Sequence, residues 1–168
     1  MEKVRWGFIG AGMIAKKALW PALLNSEVGE IYAVAARDEA RAKALSPSGR
    51  IYTNYDDLLA DPNVEAIYIS LPNSLHMPWS IRALEAGKNV LCEKPLAMNA
   101  AEVREGIAAQ AKSGKLFMEA SWNRWHPRTI RLNEIVKSGA IGEVKKIRSC
   151  FTYTDLDPKN IRAIYELG

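Results

Sequence analysis

Short runs of consecutive apolar residues recur from Val4 to Met118, each followed by a stretch with helical spacing. Val4 to Ile9 reads as a buried strand, Gly10-Ala11-Gly12 as a turn, and Met13 to Leu24 as a helix. Pro21 falls inside that helical pattern and predicts a kink or an early end there. Ile31 to Ala36 is a second strand, and Asp38 to Leu45 a short helix that Asp38 can cap. Arg50 to Thr53 is a weak third strand, followed by a helix over Tyr55 to Ala60. Ala66 to Ser70 is a fourth strand ending at Leu71-Pro72-Asn73, and Ser74 to Glu85 is a helix closed by Gly87. Asn89 to Cys92 is a fifth strand. Asn99 then caps a helix running to Lys112, and Leu116 to Met118 is a sixth strand. Continuously apolar strands alternating with helices predict a parallel sheet covered on both faces: a doubly wound α/β domain complete by about Ala120.

The pattern then changes. Pro127 to Lys137 is helical, with apolar Ile130, Ile135 and Val136 and a stop at Ser138-Gly139. Val144 to Thr154 alternates as a half-exposed antiparallel strand would, with Val144, Ile147 and Phe151 on one side, and a short helical stretch leads to Leu167. One strand and one helix do not make a domain. Residues 121–168 therefore read as the incomplete start of a second, α+β domain.

Composition narrows the classes. The 168 residues are 48% hydrophobic and 25% charged, ordinary values for a globular chain. No apolar run approaches the roughly 20 residues of a membrane span. The net charge of +4 is a mild excess. Its clusters (Lys16/Lys17, Arg124/Arg128/Arg131, Lys145/Lys146/Arg148) read as solvated faces, because basic and aromatic residues do not interleave on any one element as a nucleic-acid surface requires. Cys92 and Cys150 both sit in apolar, strand-like runs and are expected to be buried, reduced thiols. No metal-ligand spacing surrounds them. The N-terminal stretch Trp6 to Ala15 is punctuated by Gly7, Gly10 and Gly12 and followed by Lys16-Lys17, so it reads as part of the mature fold, and the location as cytoplasmic.

Two constellations carry chemistry. Gly10-Ala11-Gly12-Met13-Ile14-Ala15 fits G-x-G-x-x-A between a first strand and a first helix, the dinucleotide-binding fingerprint of a Rossmann-type fold. The first glycine permits the turn, the second admits a pyrophosphate, and the small Ala15 lets the helix approach the strand. Phosphates then meet the helix N-terminus. The acid that holds an NAD ribose, about 20 residues further on, is missing. Ala36 stands there, followed by Arg37, which can pair with a 2′-phosphate and stack on adenine. Glu30 lies at the wrong end of the strand and Asp38 is a helix cap. NADP is therefore favoured over NAD, and an S-adenosylmethionine site is disfavoured.

The second constellation lies at the carboxyl ends of strands four and five: Leu71-Pro72-Asn73-Ser74-Leu75-His76 and Glu93-Lys94-Pro95. Lys94 can exchange a proton with a carbonyl or alcohol if burial and a cationic neighbour tune it. Glu93 can accept ribose hydroxyls, and Pro95, through a cis peptide, can aim Lys94.

Together with Trp122-Asn123-Arg124-Trp125-His126-Pro127 and Ser138-Gly139-Ala140-Ile141-Gly142-Glu143-Val144, these motifs resemble the Gfo/Idh/MocA oxidoreductases. The nearest likeness is to their NADP-dependent aldose (xylose-type) and dihydrodiol dehydrogenase branch. The resemblance implies hydride transfer between a sugar-type hydroxyl or carbonyl and nicotinamide C4. Lys94 would be the catalytic lysine and Glu93 a ribose contact, with Asn73 and His76 lining the nicotinamide end. Gly10, Gly12, Met13, Ile14, Ala36, Arg37, Leu71 and Pro72 would line the rest of the cofactor site, with Arg124 and Trp122 near it at the domain junction. The family's glycine-rich segment with an aspartate and a histidine would lie past Gly168, and His126 is not expected to replace that histidine. This implies a truncated, rebuilt or engineered member that binds NADP(H) with weak or no turnover. The competing expectations are an active small dehydrogenase completed by oligomerisation and a non-catalytic nucleotide-sensing module. An unpaired strand at 144–154 further predicts a homodimer or larger assembly.

Overall fold

In the computed structural model, which describes residues 2–152, six strands form one parallel sheet in the order β3-β2-β1-β4-β5-β6. They are β1 (Val4–Ile9), β2 (Gly29–Ala35), β3 (Arg50–Tyr52), β4 (Ala66–Ile69), β5 (Asn89–Cys92) and β6 (Phe117–Glu119). The order reverses between β1 and β4, where Trp6 pairs with Ala66 and Ile9 with Ile69. At such a reversal the loops leaving two adjacent strands diverge to opposite faces, opening a crevice at the carboxyl edge.

The helices follow the strands as the alternation predicts. They are α1 (Trp20–Leu24), α2 (Glu39–Lys43), α3 (Tyr55–Ala60), α4 (His76–Glu85), α5 (Ala100–Ser113) and α6 (Pro127–Lys137). Side-chain oxygens open several of them. Asp38 accepts from Arg41 N–H, Asn54 from Asp56 N–H, and Asn99 from the N–H groups of Ala101 and Glu102. Gly114, at φ +67°, closes α5, and Gly87, at φ +74°, follows α4.

Period-two alternation along the buried strands separates two cores. Phe8, Val34 and Tyr68 face α1 and α2 together with Ala15, Ala42 and Leu45. Ile9, Ala33, Ala35, Ile67, Ile69 and Cys92 face the opposite side with Leu58, Ala83 and Leu84. Gly106 of α5 lets α5 lie close to α4: a Cβ there would stand 2.5 Å from Met77 Sδ.

Three expectations change. Of the kink or early end expected at Pro21, the early end does not occur: the helix changes form just before it and continues. Residues Ala15–Leu19 form a π-helical turn, and Pro21 falls in the first turn of the α-helical segment beyond it. There its missing N–H and its fixed φ are tolerated, as at any α-helix start.

Residues 144–152 form no strand. A strand persists only as a hydrogen-bonded ladder, and this segment has none with the other described residues. Tyr153 and Thr154, the rest of that expected strand, and the helical stretch beyond lie outside the described residues.

Cys150 accordingly is exposed, not buried, whereas Cys92 is buried as expected. Ile147 in the same segment is 82% exposed. Among the described residues no helix is long and apolar enough to cross a membrane.

Candidate functional site at the carboxyl edge

The turn after β1 is held open by its glycines. Gly10 adopts φ +93°, and a Cβ there would stand 2.9 Å from the Ser70 carbonyl oxygen. A side chain at Gly10 would meet both strain and a clash. Gly10 N–H donates to Ala35 O (2.9 Å), and Ser70 Oγ donates to Gly10 O (3.1 Å), so the turn is pinned to β2 on one side and to the end of β4 on the other. Gly12 has only Ser70 O near its missing Cβ, at 3.5 Å. Ala15 is fully buried against the β1–β2 face, while Met13 and Ile14 point outward.

A cleft of about 350 Å³ lies over this turn, lined by Ala11, Gly12, Met13, Lys16, Arg41, Ala44 and Leu45. Two cations, Lys16 and Arg41, thus flank the backbone that the glycines expose. Arg41 Nε also pairs with Asp38 Oδ2 at 3.3 Å. Sequence reasoning read Lys16 as part of a solvated face and passed over Arg41. The only signal for Arg41 was its place one turn into the helix after Arg37.

At the end of β2, Ala36 is buried, with its N–H donating to Tyr52 O at 3.1 Å, and Arg37 is exposed. Arg37 lines a second cleft with Thr53, Asn54, Tyr55, Asp56, Trp79 and Arg82. There the Arg82 guanidinium lies 4.3 Å over the Trp79 ring and also pairs with Asp56. Glu30, at the opposite end of β2, accepts from Ser48 Oγ at 3.0 Å, remote from the glycine turn. The described chain therefore places an arginine, and no carboxylate of β2, just past the carboxyl end of that strand.

The ends of β4 and β5 are tied together. Leu71, Pro72 and Asn73 are half-buried in the loop after β4, and Asn73 opens a 3₁₀ turn (Asn73–Leu75) leading into α4. His76 is 1% exposed. Its Nδ1 lies 2.7 Å from Pro95 O and its Nε2 lies 2.8 Å from Leu71 O. Both ring nitrogens thus abut main-chain carbonyls, so His76 clasps the two loops from below rather than presenting a nitrogen to the crevice. Lys94–Pro95 is cis. From the other side, Leu96 N–H donates to Glu119 Oε1 (2.9 Å) and Ala120 N–H to Cys92 O (2.7 Å). Glu119 is a second residue that sequence reasoning passed over.

Glu93 is half-buried. Its Oε1 accepts from Tyr68 Oη at 2.9 Å and its Oε2 from Lys94 N–H at 3.2 Å. Burial, then the negative charge of Glu93, raise the Tyr68 phenol well above the ordinary tyrosine range, so it remains a donor. Lys94 is exposed. Trp122 and Arg124 lie in an exposed 3₁₀ turn (Trp122–Trp125) just beyond Ala120, on the segment leaving the β5–β6 carboxyl edge. His126 Nδ1 accepts from Arg128 N–H at 3.1 Å and so caps α6.

A six-stranded parallel sheet with a glycine turn at its switch point defines a Rossmann-type nucleotide-binding protein. Residues 4–121 match the Gfo/Idh/MocA family, described as an oxidoreductase family with an NAD-binding Rossmann fold, and the chain belongs to that family.

An oxidoreductase of Rhizobium meliloti, ORF334, is 45% identical across all of this chain and 54% of its own length. The mouse trans-1,2-dihydrobenzene-1,2-diol dehydrogenase is 41% identical over 89% of this chain and 46% of its own. The chain thus spans about half the length of these relatives. Among solved structures, KijD10, a 3-ketoreductase from Actinomadura kijaniata in complex with NADP and TDP-benzene, superposes with a TM-score of 0.78. It shares 35% identity over 84% of this chain and 44% of that one. A myo-inositol 2-dehydrogenase from Lactobacillus plantarum gives a TM-score of 0.77 at 28% identity, over 85% of this chain and 43% of that one.

Proposed function

We propose that this chain is the NADP(H)-binding part of an oxidoreductase that moves a hydride to or from a small sugar or diol. The observation that carries the reading is the convergence at one sheet edge of the strained Gly10 turn, Arg37 in place of a ribose-binding acid, and the Glu93-Lys94 turn. The cofactor fits these residues. The exposed backbone of Gly10 and Gly12, beside Lys16 and Arg41, suits a pyrophosphate, and Arg37 suits a 2′-phosphate. Glu93 suits ribose hydroxyls, with Met13, Ile14, Ala36, Leu71, Pro72 and Asn73 along the wall. When bound, the nicotinamide supplies or accepts the hydride.

The chain's own part in the chemistry falls to Lys94, whose ammonium gives a proton to the substrate oxygen on reduction and whose neutral amine takes one from the substrate hydroxyl on oxidation. Trp122 and Arg124, on the segment leaving β6, border the substrate side, and residues 121–168 begin the substrate and oligomerisation unit. Exposed Ile130, Leu132, Val136 and Ile147 support self-association through that segment. The relation to the mouse diol dehydrogenase and to the NADP complex of KijD10 supports the cofactor and substrate class.

Titration with NADPH and NADH, followed by nicotinamide fluorescence and thermal stability together, tests the reading. Ligand that binds only the native state raises its melting temperature. Preferential NADPH binding with weak or no turnover is expected; steady turnover of an aldose or diol that Lys94→Ala abolishes would favour an active dehydrogenase completed by oligomerisation. Binding of neither nucleotide overturns the reading. A single mass corresponding to a monomer at all concentrations overturns self-association.

A further inference from the structure

Tyr68 lies in the middle of a parallel strand whose other residues, Ala66, Ile67 and Ile69, are aliphatic, and it is 1% exposed. Phenylalanine would fill that space without a hydroxyl to satisfy. A buried hydroxyl without a partner is destabilising. This one has a partner outside its own layer. It crosses from β4 to the end of β5 and donates to Glu93 Oε1 at 2.9 Å.

The sheet register explains how the two meet. Tyr68 pairs with Leu91, and residues two apart on a strand share a face, so Leu91 directs Glu93 to the same side as Tyr68. That is the face carrying Phe8 and Ala15, the face on which the glycine turn starts its helix. The Tyr68 ring itself is held edge-on to Phe8 of β1, with centroids 5.0 Å apart, so the strand that leads into Gly10 also orients the hydroxyl. Among the described residues, the Glu93 carboxylate's other hydrogen bond comes from the N–H of its own neighbour, Lys94, at 3.2 Å.

We infer that Tyr68 is a positioning residue of the cofactor site: its hydroxyl holds the Glu93 carboxylate on the glycine-turn side of the sheet, ready for the hydroxyls of the nicotinamide ribose. The inference rests on reading Glu93 as the ribose contact. An ionised acceptor makes the Tyr68 bond one of the stronger kind, and the protonated phenol is a fixed donor that leaves the remaining carboxylate lone pairs for a ligand.

The test compares two ligands, NADPH and adenosine 2′,5′-bisphosphate, which lacks the nicotinamide ribose. Tyr68→Phe keeps the ring and removes only the hydroxyl. It is expected to weaken NADPH about tenfold and to leave the bisphosphate affinity unchanged. Glu93→Gln weakens NADPH alone as well, and the double variant binds no worse than Glu93→Gln by itself, because the hydroxyl acts through the carboxylate. Equal losses for both ligands on Tyr68→Phe would assign the hydroxyl to general stability and overturn the proposal. So would full NADPH affinity in Tyr68→Phe when Glu93→Gln has lost it, or losses that add in the double variant. Unchanged NADPH affinity in Glu93→Gln, or no NADPH binding by the wild type, would instead overturn the reading of Glu93 itself, and the positioning role with it.

Discussion

His76 Nδ1 lies 2.7 Å from the Pro95 carbonyl oxygen, joining the first residue of α4 to the cis Lys94–Pro95 turn. Since Nε2 faces Leu71 O from the same buried ring, one side chain sets the spacing of the loops after β4 and β5. His76→Ala removes both contacts and leaves a cavity. It should cost about 3 kcal/mol of stability. A loss below 1 kcal/mol in denaturant titration would show that the clasp contributes little.

Gly10→Ala should combine backbone strain at φ +93° with a Cβ 2.9 Å from Ser70 O. The expected destabilisation is about 1–3 kcal/mol, with nucleotide affinity reduced further because the turn must move away from its Ala35 and Ser70 anchors. Melting temperature and nucleotide titration on the same sample check both. Wild-type values for each would show that the turn relaxes freely.

Removing the Arg37 guanidinium tests cofactor choice. Arg37→Ala should weaken NADPH about tenfold or more, the loss of one charge-assisted contact, while NADH, which has only the adenine for Arg37 to stack on, loses much less. A parallel fall in both would place Arg37 on the adenine rather than the phosphate.

The Cys92 thiol is fully buried, and desolvation pushes its pKa up to about 12. The unfolded chain therefore releases this proton first as pH rises above the ordinary thiol range. Thiol stabilisation is complete below that range and is lost progressively up to about pH 12, at a slope of about 1.4 kcal/mol for each step of one in pH. The Tyr68 phenol is raised in the same direction. Lys88, buried with Nζ donating to Asp61 O and Val64 O, has its pKa lowered by desolvation and so gains stability as pH rises. Comparing alkaline melts of the wild type and Cys92→Ala isolates the thiol, and the variant should show the shallower decline. In the native protein Cys150 should react with a thiol reagent at once and Cys92 only on unfolding.

Much of the fold was legible because its signals are local. Short apolar runs broken by Gly and capped by Asp38 and Asn99 mark six strands and their helices within a residue or two. The glycine turn announced itself by spacing, and Arg37 by standing where an acid would be. The roles of Tyr68, Glu119 and Arg41 were not legible, since each depends on a partner far away in sequence: Glu93, the Leu96 N–H and the cleft above Gly12.

By itself, then, the sequence determined the alternation of strand and helix, the parallel sheet and the nucleotide turn, because periodicity and backbone permission act over a few residues. Only the tertiary structure decided what each polar side chain does with that frame. It turned His76 inward as a clasp, left Lys94 in solvent, let the first helix pass Pro21 after a π turn, and gave Val144 to Thr152 no ladder with the other described residues. The physical reason is that a polar group or a strand edge takes its role from the partner facing it, and in this sheet those partners arrive from distant strands.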